Sequence, residues 1–266
     1  MIVRYDARPM ANVYFEMTEA FNREGVVAVL SADQAIVWYR LAMMDKAGEW
    51  IVREDAAACR RVLAVLARHG ARYRPGAPLD VDWLQGGWSS CFEFADARKY
   101  RVRCEFVSRP PRMAPGAVAA LFTPNLTAEL SVIDVRSLIA IKQTQRPKDY
   151  PVIGALARLL PPNEELAVTT DADRVIALAP QHGKGMSREV VQLALAGRSR
   201  EDVVVALARE MDRMQQADRV RVQRHRVASA VYLDEWKKQA LGSLPLDEAH
   251  DRVRALAATM LPRTVG

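Results

Sequence analysis

The 266-residue sequence predicts an α/β fold: a mixed sheet flanked by helices, followed by a mainly helical C-terminal region. Three observations carry that reading. A β-branched run, Val-Val-Ala-Val-Leu at 26–30, lies between two segments of helical period and has the character of a buried strand. Two segments within 88–108 read as strands, the second of them alternating clearly, and the Asp-Ala-Arg-Lys between them is hairpin-length. Beyond Pro161 and Pro162 the pattern is helical for most of the remaining chain. The expected division is an α/β domain over 1–162 and a helical domain or extension over 163–266.

In chain order, residues 11–24 form an amphipathic helix with Val13, Phe15, Met17 and Phe21 on its apolar side, ended by Gly25. After the strand at 26–30, residues 33–44 read as a helix in which Met43 and Met44 are core filler. Glu49 leads a brief strand, Glu54 and Asp55 stand as N-terminal acids of the next helix at about 56–69, and Gly70 closes it. His69 sits at that helix end as a dipole partner. Residues 71–87, rich in Pro and Gly, read as an ordered loop. Strands follow at 88–96 and 100–108, with Val102, Cys104 and Phe106 facing one way and Arg101, Arg103, Glu105 and Val107 the other. A short helix near 117–122 and a strand near 129–134 lead to a helix capped by Ser137. A charged break follows, then a helix over 149–160 stopped by the proline pair. Residues 163–181 stay ambiguous. Farther on, Ser187 caps a helix, Ser199 and Asp202 form a capping box for one long helix or two in series, and a last helix ends at Pro262.

Composition narrows the function classes. Half of the residues are apolar and 26% are charged, an ordinary globular balance, and the formal net charge of +6 is compatible with nucleotide or nucleic-acid binding. Three cysteines without a CxxC pair argue against a disulfide framework, and four scattered histidines do not make a zinc motif. No segment has the length and apolarity to span a bilayer, and the N-terminus lacks signal-peptide character, so a cytoplasmic protein without membrane partners is expected. No Walker A motif, dinucleotide fingerprint or nucleophile elbow is present.

Two groups of residues could carry chemistry. Glu49 and Glu105 lie on strands that, if neighbours, would gather two carboxylates at one sheet edge, a hard-oxygen set suited to magnesium; equally, each could be a solvent-facing strand residue. Glu93 is a weaker alternate, and Asp80 and Asp82 read as solvated loop acids. Lys142, Arg146, Lys148 and Asp149 form a dense charged cluster. On a helix Lys142 and Arg146 would share a face, which requires a facing anion: a triphosphate, or an internal partner such as Asp149 or Glu105. Gly86 and Gly87 could let a ligand approach the backbone, and Trp83 and Trp88 beside them are core anchors or base-stacking groups.

The stretch Ile-Asp-Val-Arg-Ser-Leu-Ile-Ala-Ile-Lys-Gln-Thr-Gln-Arg-Pro-Lys-Asp-Tyr at 133–150, continuing to Leu156, resembles the carboxyl-side motif of minimal nucleotidyltransferases of the abortive-infection toxin type. The matching residues are Lys142, Arg146, Lys148 and Asp149, and the likeness extends over about 11–160. It implies a magnesium-dependent enzyme that transfers a nucleoside monophosphate from a nucleoside triphosphate to a hydroxyl of RNA, protein or a small molecule. Glu49 and Glu105 take the places of the second and third metal-binding acids, and with Lys142 and Asp149 they form the implied catalytic set. Ser31, Lys142, Arg146 and Lys148 take the nucleotide-binding places. The chain departs from the pattern in two ways. Ser31-Ala32 replaces the usual glycines, and Ala47 replaces the first acid, with Asp45 nearby in sequence. The alternative is a catalytically degenerate member that binds a nucleotide, a nucleic acid or a protein. A homodimer through the helical tail is a further expectation.

Overall fold

The computed structural model describes residues 12–42, 47–123 and 130–265. Five strands form its sheet: β1 (Ala28–Ser31), β2 (Ala47–Val52), β3 (Arg72–Arg74), β4 (Ser90–Ala95) and β5 (Arg101–Val107), in the order β1-β2-β5-β4-β3. β2 and β5 run parallel; the other neighbours are antiparallel, so the sheet is mixed. Helices flank it and dominate the chain after residue 162, which is the fold class the sequence predicts.

The two faces of the sheet sort by strand period. Trp50 and Val52 of β2 and Val102, Cys104 and Phe106 of β5 enter one core with α1 (Val13–Asn22) and α3 (Ala56–Arg68). Trp50 is its centre: it stacks on Phe106 at 5.2 Å, meets Phe21 edge-on at 5.5 Å and donates its indole N–H to Thr18 at 2.8 Å. Val29 and Ile51 enter the opposite core with α2 (Ala32–Trp38), Val118 of α5 (Pro115–Ala120), α6 (Val135–Lys142) and α7 (Asp149–Ala157). Buried Asn22 welds α1 to β1, accepting from the Val27 and Ala28 amides and donating to the Ala28 carbonyl.

The helical remainder has two destinations. α8 (Pro162–Val168), α9 (Ala172–His182), α10 (Glu189–Leu195) and the start of α11 (Arg200–Lys238) enclose a third core, from Leu166 to Leu207. Farther along, Tyr232 and Trp236 of α11, with Val253 and Ala257 of α12 (Leu246–Met260), join the first core beside Tyr73 and Phe92. The Ser199–Asp202 capping box is present and starts a single 39-residue helix.

Several local expectations change. The segment 71–87 holds strand β3 and the short helix α4 (Val81–Leu84), because Tyr73 has core partners on the sheet despite the surrounding prolines. The helix after β1 stops at Trp38, and Arg40 adopts a left-handed φ of 60°; Met43, Met44 and Asp45 lie outside the described residues. Of the strand expected at 129–134, the described part makes one parallel bridge, Leu30 with Val132. α6 is capped by Asp134, whose carboxylate takes the Ser137 amide, so Ser137 is inside the helix. α10 begins after Arg188 without a side-chain cap, and Ser187 lies one residue too early. Asp55 caps α3, whereas Glu54 turns away to Arg109 and Ser108.

Candidate functional site

β2 and β5 place Glu49 and Glu105 directly opposite each other in parallel register. Each stands two residues before an inward apolar residue of its strand, Ile51 or Val107, so both carboxylates leave the same face of the sheet. They open into a cavity of about 790 Å³, whose lining also includes Ser31, Lys142, Arg146 and Arg109. Burial, and then the charge of Glu105, push the Glu49 carboxyl up to about 7, with Asp33 adding to the rise; Lys142 and Arg146 oppose it.

The charged break after α6 makes the opposing wall. Lys142 is the last residue of α6 and is 1% exposed. Its ammonium pairs closely with Asp33 and lies 3.7 Å from Asp149. Asp149 opens α7, also buried, and accepts from Thr144 at 2.5 Å and from the Arg146 guanidinium at 2.8 Å. Arg146 is half-buried, with Asp149, Asp33 and Glu49 together holding its pKa above the usual guanidinium value against the cost of burial. Asp33 resists burial too, yet Lys142, with Arg146 and Lys148 behind it, holds its carboxyl below the ordinary range. The internal partner of Lys142 is thus Asp33 with Asp149, and not Glu105. Because α6 ends at Lys142, Lys142 and Arg146 do not share a helix face. Lys148 is exposed and stands outside the cavity lining.

Ser31 is 2% exposed and donates to the Glu49 carbonyl at 3.1 Å, tying the β1 terminus to β2 beside the acids. Ala32 after it adopts φ 48°, a left-handed conformation that ordinarily favours glycine. The chain keeps that turn with a Cβ in place. The other candidate acids are occupied elsewhere: Glu93 lies against Arg74 and Arg101, Asp80 caps α4 and pairs with Arg254, and Asp82 pairs with Arg263.

The glycine pair has a different role from ligand approach alone. A Cβ on Gly86 would fall 1.6 Å from the Arg263 carbonyl oxygen, so Gly86 makes room for the C-terminal segment. That segment covers Trp83, whose ring lies 3.9 Å under the Arg263 guanidinium. Trp88 does line the cavity, and its indole N–H donates to the Pro262 carbonyl at 2.8 Å. His69 ends α3 as expected and packs on Phe94.

Sequence reasoning missed the third wall. α11 lines the cavity with Arg221, His225, Arg226 and Ser229. Buried Asp218 anchors it, accepting from the Gln145 amide at 2.8 Å and from Arg221 at 3.0 Å. Tyr232 anchors the other end on the Gly76 carbonyl at 2.8 Å. The spacing 218, 221, 225, 229, 232 was a legible one-face stripe, but nothing in the sequence says what that stripe faces.

No known family model matches the chain, and no curated protein does. Among solved structures it is similar to JHP933 from Helicobacter pylori, at 13% identity and a TM-score of 0.38 over 79% of this chain and 92% of that one. It is also similar to a candidate nucleotidyltransferase from H. pylori, with the same identity and TM-score, over 77% of this chain and 95% of that one. No helix among the described residues is long and apolar enough to cross a membrane.

Proposed function

We propose that the cavity binds a magnesium-complexed nucleoside triphosphate and that the chain is nucleotidyltransferase-like, transferring a nucleoside monophosphate to an acceptor hydroxyl. The observation that carries this reading is the Glu49–Glu105 pair, two carboxylates side by side on a cavity floor. Such a pair is costly unless a cation joins it. Asp33 and Asp149 already take up Lys142, and Arg146 leans on Asp149. Among the described residues Glu49 and Glu105 make no ion pair of their own, and a divalent ion between them would balance both carboxylates.

The residues fit one magnesium ion, which binds through one or two carboxylates and completes its shell with water and phosphate oxygens. They do not fit a two-ion cluster: Ala47 carries no carboxylate, and no group of three metal-type side chains exists among the described residues. A bound magnesium would neutralise phosphate charge and orient the triphosphate. Arg146 is open enough to meet a phosphate with its planar fork. Lys142 acts differently from a triphosphate counter-ion; locked between Asp33 and Asp149, it holds the wall that presents Arg146. Ser31 keeps Glu49 in register through its carbonyl. Lys148 adds a longer-range positive field.

The missing acid at Ala47 favours a second reading, a member that binds the triphosphate without transferring it. One experiment separates them: magnesium with each labelled nucleoside triphosphate and total RNA, protein or small hydroxyl acceptors, read as label transfer beside a direct binding measurement. Transfer abolished by Glu49→Ala and by Glu105→Ala supports the enzyme. Binding without transfer supports the second reading. Binding that is unaffected by magnesium and by both substitutions sinks the metal site itself.

A further inference from the structure

α11 lines the cavity between two fixed points, Asp218 on the Gln145 loop and Tyr232 on Gly76. At 1.5 Å per residue these anchors stand about 21 Å apart along the helix, and His225 is midway, about 10 Å along it from Asp218, which holds the loop of Arg146. One cavity takes Glu49, Glu105 and Arg146 in its lining together with Val222, His225 and Leu233 of α11, and Trp88 packs against the His225 ring.

His225 is held in one orientation. Its Nδ1 lies 3.0 Å from the Arg221 carbonyl oxygen, which can only accept, so Nδ1 carries the proton. In the neutral ring Nε2 is then a hydrogen-bond acceptor. Nε2 lies beside Gly87, which has φ 84° and no side chain; a Cβ there would be 3.8 Å from Nε2. The imidazole meets the Trp88 ring edge-on at 5.2 Å, and Trp88 is fixed in turn by the Pro262 carbonyl. A rigid acceptor packed on an aromatic ring, about 10 Å along the helix from Asp218, fits a planar heterocycle presenting an N–H.

We propose that His225, set against Trp88, is the nucleobase-reading residue of the cleft, accepting a hydrogen bond from a base N–H while the phosphates lie toward Arg146 and the paired glutamates. This rests on the triphosphate reading above. It assigns specificity to the helical region, outside the stretch that resembles nucleotidyltransferases.

The test measures binding of ATP, GTP, CTP, UTP and inorganic tripolyphosphate, each with magnesium, to the full chain and to His225→Phe and His225→Gln. The expected result is that His225→Phe weakens the preferred nucleotide by about tenfold, the usual scale for losing one shielded hydrogen bond. Tripolyphosphate binding stays unchanged, and His225→Gln, which keeps an acceptor oxygen, restores part of the loss. Wild-type discrimination among bases that survives intact in His225→Phe overturns the assignment. So does an equal loss for tripolyphosphate, which would make His225 a phosphate contact. Failure of the wild-type chain to bind any nucleotide or tripolyphosphate overturns the triphosphate reading, whereas nucleotide binding no tighter than tripolyphosphate overturns only the base-reading role.

Discussion

At the scale of single residues, the site is a balance of buried charges. Glu49 titrates near 4.5 when unfolded and is pushed up to about 7 in the fold, so the folded chain binds its proton more tightly. Stability from this group is therefore full below about pH 4.5 and is lost as pH rises through about 7. In metal-free buffer, Glu49→Gln should unfold at a higher temperature than the parent near pH 8, by the equivalent of about 1–3 kcal/mol, with the gap closing near pH 4.5. Equal gaps at both pH values would mean that Glu49 carries no such burden. Lys142 is the opposite case. Lys142→Met strands Asp33 and Asp149 and should cost about 3–5 kcal/mol in chemical denaturation, while Lys142→Met combined with Asp33→Asn should recover part of it. Additive losses in the double variant would contradict the pairing. Glu49, Glu105 and the charged break were legible as residue types in the sequence. Asp33 was not, because its partner lies 109 positions away and nothing local marks it.

At the scale of elements, the strands carry the acids because their other faces are packed hard. Gly48, between Ala47 and Glu49, faces the aromatic core: a Cβ there would lie 2.4 Å from the Trp50 ring and 2.5 Å from Tyr14. Gly48→Ala should therefore lower stability by about 1–3 kcal/mol through overpacking, and displacement of β2 should weaken magnesium-nucleotide binding in parallel. A variant as stable as the parent would show that Trp50 can move aside. Alternation revealed β5, and periodicity revealed α1, α3 and the helices after 187, whereas 163–181, where α8 and α9 form, stayed ambiguous. β3 stayed hidden because three residues are too few to show a period. The caps at Asp134 and Arg188 were missed because neighbouring serines offered the same local signal.

At the scale of the molecule, the chain after 162 contributes both a core of its own and a cover for the sheet. The boundary expected at Pro162 would leave Tyr73, Phe92 and Trp88 without Tyr232, Trp236, Val253 and Leu261. A chain ending at residue 162 should therefore be poorly soluble and lack a cooperative thermal transition, as should one ending at 245. Cooperative unfolding of the shorter chain at the parent temperature would establish 1–162 as an independent domain. The cavity would also lose its α11 lining, with Arg221 and His225, and the C-terminal segment that holds Trp88.

The sequence alone determined the α/β class, most elements, the two strand acids and the charged break, because strand and helix periods and charge type are local properties. Only the tertiary structure decided that Glu49 and Glu105 share a register, that Lys142 belongs to Asp33, and that α11 faces the acids. Those facts depend on strand order and helix docking, which bring together residues separated by scores of positions, and no local pattern encodes that distance.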